Sequence, residues 1–154
     1  MTWYYHPGWV MSDDCRRIAA FAENGRKYHA ENPEERKVVR CHIDGCAIRD
    51  GERCDYALYV PDMDAVCFIE LKGKDLKKAI QQISSTLTQL GGSTGSCIVH
   101  ARIVLSRVSR PDVNSSYEIQ LQRSLAQRGG KLKRDTTIMT ENIEKDYARV
   151  SPKL

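Results

Sequence analysis

The stretch "CDYALYVPDMDAVCFIELKGKD", residues 54–75, holds two apolar runs joined by an acidic turn. Cys54 to Val60 and Ala65 to Leu71 each have the length and the β-branched and aromatic content of a strand, and "PDMD" supplies the turn between them. So short a connection makes the two strands antiparallel neighbours. Side chains alternate faces along a strand, so residues two apart lie on one face, roughly 6.6 Å from each other. Val66, Phe68, Glu70 and Lys72 therefore share a face, as do Asp55, Ala57 and Tyr59. With the turn centred near Asp62, Asp55 falls opposite Glu70 to within two residues. Two carboxylates and an ammonium converge at one end of the hairpin.

Such a trio has a use. Hard divalent cations such as Mg²⁺ or Mn²⁺ take one or two carboxylates, with water and substrate phosphate completing the shell. Asp55 and Glu70 are suitable ligands, and the Leu71 carbonyl adds a third oxygen. An ion held there activates water and neutralises charge on a phosphodiester, while Lys72 orients the nucleophile or stabilises the transition state. The bland alternative is an exposed cross-strand ion pair, worth about 0.2–1 kcal/mol.

Outward from the hairpin, Asp75 to Leu90 reads as an amphipathic helix, with Leu76, Ala79, Ile80, Ile83, Leu87 and Leu90 on one stripe. "GGSTGS" stops it; without a lysine and a preceding strand it is no phosphate loop. Ile98 to Leu105 is a strand, Ser115 to Arg128 a helix, and Lys131 to Met139 a last strand. Upstream, Val38 to Ile43 is a strand, and a helix capped by Ser12 or Asp13 runs to about His29, with Ile18, Phe21, Ala22 and Gly25 along one face. Residues 1–12 form an aromatic-rich arm whose rings pack onto the domain or, as the lesser alternative, stack on bases, and the tail 141–154 is weakly patterned. The expectation is one mixed α/β domain over residues 1–154.

"CDYALY" followed by "FIELKGKDLKKAIQQI" resembles the core of the PD-(D/E)xK nuclease superfamily, which includes restriction endonucleases and Holliday-junction resolvases. The D…ExK spacing carries the resemblance, which spans about two-thirds of the chain. It implies a restriction-endonuclease-like αβββαβ core, a mixed sheet flanked by helices, here with a C-terminal helix-strand extension. It also implies Asp55 and Glu70 as metal ligands, Lys72 as the catalytic lysine, and a glutamine on the following helix, which Gln82 matches best and Gln81 second. A first-helix glutamate is common in the family; Glu23 is the candidate, with Glu31 and Glu35 behind it. The literal Pro-Asp pair, Pro61-Asp62, lies in the turn, at the far end of the hairpin from Glu70. Asp55 is therefore preferred.

The 154 residues are 41% hydrophobic and 29% charged, as in an ordinary globular domain. No apolar run approaches the roughly 20 residues of a membrane span, and the N-terminus lacks a secretory pattern. A cytoplasmic location with reduced thiols is the expectation for the six cysteines. Cys41, His42, Cys46 and Cys54 lack a zinc-knuckle spacing, and His6, His29 and His100 stand alone. The net charge of +4 is concentrated in residues 101–134, where eight basic residues face Asp112 and Glu118. That excess suits a phosphate backbone, with Lys74, Lys77, Lys78, Arg102 and Arg107 as nucleic-acid contacts. The resulting reading is a Mg²⁺-dependent nuclease acting on DNA, a homodimer if the substrate is duplex. Its rival is an inactive nucleic-acid-binding or protein-interaction module on the same fold.

Overall fold

A computed structural model describes residue 3 and residues 5–44, 53–71, 75–106 and 116–151. Its strands are β1 (Val10–Asp14), β2 (Ile18–Glu23), β3 (Arg26–Glu31), β4 (Val38–His42), β5 (Tyr56–Val60), β6 (Ala65–Glu70), β7 (Ile98–Leu105), β8 (Leu132–Thr136) and β9 (Ile138–Asn142). The helices are α1 (Leu76–Leu90), α2 (Ser116–Gln127) and the single turn α3 (Ile143–Asp146). The fold is α/β.

The quoted hairpin is the centre of a six-stranded mixed sheet, ordered β1-β4-β5-β6-β7-β8. β5 and β6 are antiparallel, in the register Tyr56↔Ile69 through Val60↔Ala65. The connection through α1 then makes β7 parallel to β6, and the connection through α2 makes β8 parallel to β7. α1 starts where its sequence caps it: Asp75 accepts the Lys78 N–H at 2.8 Å. It ends at Leu90, before a 3₁₀ turn over Gly91–Ser93.

Alternation along β5 and β6 feeds two cores. Ala57, Tyr59, Val66 and Phe68 pack with the stripes of α1 and α2. Tyr56, Leu58, Val60, Cys67 and Ile69 pack on the opposite face. The aromatic arm completes the helical layer: Trp3 is buried, edge-on to Tyr59 at 5.7 Å and Phe68 at 5.9 Å, and its indole N–H donates to Ser93 Oγ.

On the opposite face the expectation of a first helix is wrong. A three-stranded sheet, ordered β2-β3-β9, lies there. The segment expected to be helical folds as β1 and the β2–β3 hairpin, turned by Asn24 and Gly25 at φ 50° and 75°. Asn-Gly is the strongest two-residue hairpin signal, because both positions need positive φ. Ala19 and Phe21 of β2 and Tyr28 and Ala30 of β3 point inward with period two, and the helical spacing of Ile18, Phe21 and Ala22 was coincidental.

The last strand also differs from expectation, dividing at Thr137 into β8 and β9. Thr137 takes φ 63°, donates its N–H to Leu105 of the large sheet and accepts from the Lys27 N–H of the small one. The chain changes sheets through this residue. The tail, weakly patterned in sequence, contains the end of β9 and α3, and Ile143 and Tyr147 are fully buried.

Candidate functional site

β5 and β6 bring Asp55 and Glu70 to neighbouring positions. The paired ladder ends at Tyr56↔Ile69, and Asp55 and Glu70 are the next residues on their strands. Both carboxylates are buried, Asp55 2% and Glu70 0% exposed, so the pair is no solvated surface bridge. Asp55 Oδ2 accepts the Leu71 N–H at 2.6 Å, fixing the acid against the residue that follows Glu70. Cys54 lies within electrostatic reach of both acids: burial pushes its thiol well above the usual range, and the charges of Glu70 and Asp55 push the same way.

The surroundings are rich in charge. The Tyr56 hydroxyl donates to Glu23 Oε2 at 2.5 Å. Burial raises its pKa first, and Glu23, Asp55 and Asp44 add to the rise. Arg53 Nε meets Asp44 at 2.5 Å. Arg26, at the start of β3, donates from Nη1 to the Leu71 carbonyl. Glu23 thus reaches this end of β5 from the tip of the β2–β3 hairpin, on a strand and not on a helix. Glu31 lies at the other end of β3, about 16 Å from Arg26 along the strand. Glu35 is exposed and pairs with Arg17 at 3.4 Å. Neither shares the site.

Other expected residues fall as follows. Gln82 is half-buried on α1, and its Oε1 is buried with no hydrogen-bond partner among the described residues. One turn on, Thr86 Oγ1 accepts the Cys54 N–H at 2.8 Å, which ties α1 to the residue before Asp55. Gln81 is half-buried as well. Asp62 is exposed in the turn, 3.8 Å from Arg36 and remote from Glu70. Lys72, Lys74, Arg107 and Cys46 lie outside the described residues.

The basic surface needs one correction. Arg102 is fully buried; its Nε donates to Glu141 at 2.6 Å, Nη1 to the carbonyls of Ala101 and Lys131, and Nη2 to that of Asp146. A guanidinium so committed presents nothing to a phosphate. Lys77 and Lys78 are exposed at the start of α1, and Lys77 lies 5.7 Å from the Tyr117 ring centroid. The five described cysteines, Cys15, Cys41, Cys54, Cys67 and Cys97, are free thiols. Cys41 packs in the helical-side core, while its neighbour His42 stacks on Tyr56.

The donors at Asp55 and Glu70 are oxygens, the chemistry a hard divalent ion selects, and burial disfavours their charged forms unless positive charge lies close by. They fit such an ion. Among the described residues no group of three or more His, Cys, Asp and Glu is placed to hold a metal. No helix among the described residues is long and apolar enough to cross a membrane. The chain matches no family model, no curated protein and no solved structure.

Proposed function

We propose that the chain is a divalent-ion-dependent nuclease of the PD-(D/E)xK type, hydrolysing phosphodiesters of nucleic acid, DNA above all. The adjacency of two buried carboxylates, Asp55 and Glu70, at the ends of paired strands carries this reading. Asp55 and Glu70 hold Mg²⁺ or Mn²⁺, which supplies activation of water and neutralisation of phosphate charge. Lys72, two residues after Glu70, acts on the scissile phosphate as its general electrostatic partner. Gln82 turns an uncommitted amide oxygen toward a buried setting, as a group that orients water does. Lys77 and Lys78 offer charge to the backbone beside the cleaved bond. Two chains together serve two strands of a duplex.

The restriction-endonuclease-like core is part of the proposal. Its β-meander, α1 crossover and parallel β7 are supported by the order β4-β5-β6-β7, with β2, β3 and β9 standing where the first helix was expected.

One observation favours a second reading. Both acids are almost without solvent contact, which suits a structural ion site in an inactive nucleic-acid-binding module. Incubation of the chain with duplex, branched and single-stranded DNA in Mg²⁺ or Mn²⁺ separates the two. Cleavage is expected, lost with chelator and in Lys72→Ala and Asp55→Asn. Cleavage retained in both variants rejects the site, and binding without cleavage in either metal supports the module.

A further inference from the structure

Glu70, Ile103 and Arg134 stand in register across β6, β7 and β8. Neighbouring strands lie about 4.8 Å apart, so Arg134 sits roughly 10 Å from Glu70 along that row. In-register residues of parallel strands share a face, and Ile103 and Phe68 pack in the helical-side core, so Arg134 and Glu70 both point to the helical side. There Arg134 Nε meets Glu118 of α2 at 3.5 Å. The first turn of α2 therefore lies over the carboxyl end of β8, and the first turn of α1 stands beside it: Lys77 Nζ is 5.7 Å from the centroid of the Tyr117 ring. Tyr117 is 47% exposed. A single exposed ring is ordinary on a protein surface. This one lies against an ammonium, at the end of the sheet that holds Asp55 and Glu70.

An aromatic face holds any nucleobase by stacking, and an ammonium beside it suits the adjoining phosphate. Bases inside a duplex are stacked on their own neighbours and reach such a ring only by leaving that stack. Resting on the nuclease reading of Asp55 and Glu70, we propose that Tyr117 and Lys77 form a stacking platform for an unpaired nucleotide near the scissile phosphate. The ammonium attracts one face of the ring, and the base takes the other. Lys77 meets the phosphate of the same strand. The preferred substrate is then a strand with unpaired bases, free or at a branch, and an intact duplex is bound through its phosphates alone.

Oligothymidylates carrying a single 2-aminopurine at successive positions, free or annealed to their complements, test this with the full chain in chelator. Tyr117→Ala places the best helix former on an exposed helix position, and Tyr117→Phe keeps the ring. The native and Phe proteins are expected to quench the single-strand fluorescence at one position. The Ala variant is expected to lose that quenching and to bind the single strand about tenfold more weakly, with duplex affinity within twofold of native. Lys77→Gln is expected to weaken binding of both strands alike and to lower the salt slope by about one; an unchanged slope contradicts the proposal. Native-like quenching and affinity in the Ala variant overturn the proposal and leave the nuclease reading standing, provided cleavage in Mg²⁺ is lost in Asp55→Asn. Equal losses on single strand and duplex in the Ala variant, the mark of a structural role, overturn it too. A native protein that binds neither strand, or cuts neither in Mg²⁺ or Mn²⁺, overturns both.

Discussion

Arg102 of β7 and Glu141 of β9 meet at 2.6 Å, one from each sheet, with side chains 0% and 4% exposed. The same carboxylate accepts the Tyr28 hydroxyl at 2.6 Å, and Tyr28 is 2.8 Å from the Tyr147 hydroxyl. The pair is a bolt between sheets. Glu141→Ala leaves a buried guanidinium without its counter-ion and is expected to cost about 3–5 kcal/mol in urea unfolding. The double replacement Arg102→Met with Glu141→Leu, apolar on both sides, is expected to recover most of that loss.

His100 gives stability a pH dependence. It is fully buried and accepts the Lys131 N–H at Nδ1. Burial, reinforced by the charge of Arg102, pushes its pKa down from 6.5 to about 4. Between those values the unfolded chain holds a proton that the folded one does not, so stability is full above pH 6.5 and falls as pH drops toward 4. The loss across that window is on the order of 3 kcal/mol. Denaturant midpoints measured across it are expected to fall for the native protein and to flatten in His100→Gln.

Two backbone positions are open to substitution with opposite signs. A Cβ on Gly130 would meet the Val99 carbonyl oxygen at 1.7 Å, and Gly130→Ala is expected to destabilise by about 1–3 kcal/mol. Thr137 is exposed at φ 63°, a region costly for a β-branched side chain. Thr137→Gly is expected to be neutral or stabilising by about 1 kcal/mol. Thermal unfolding of the two variants checks both.

On the proposed function Asp55 has two separable roles. Asparagine preserves an oxygen for the Leu71 N–H and removes the charge; alanine removes both. Asp55→Ala is expected to lose about 1–3 kcal/mol of stability, and Asp55→Asn markedly less. Both are expected to lower divalent-dependent cleavage on the order of a thousandfold. Denaturation and cleavage assays on the same preparations distinguish the structural loss from the chemical one.

What was legible in the sequence was local. The hairpin, its register to within two residues, α1 and β7 follow from period, turn residues and chain distance, and these alone place Asp55 beside Glu70. The expected first helix fails because Ile18–Glu23, though alanine-rich and helix-prone, runs into the Asn24-Gly25 turn, which selects a hairpin. The break at Thr137 is carried by no glycine or proline, so nothing in the letters marks it. Arg102 reads as a surface residue because its carboxylate partner lies 39 positions away, on a strand that the weak pattern of the tail conceals. Arg26 carries no signal in the sequence for a related reason: as a helical residue it has no route to Leu71.

Anomalous diffraction from crystals soaked in Mn²⁺ tests the central assignment most directly. A single peak is expected with oxygens of both Asp55 and Glu70 in its coordination shell. A peak elsewhere, or none while the two carboxylates are engaged by protein cations alone, would contradict it.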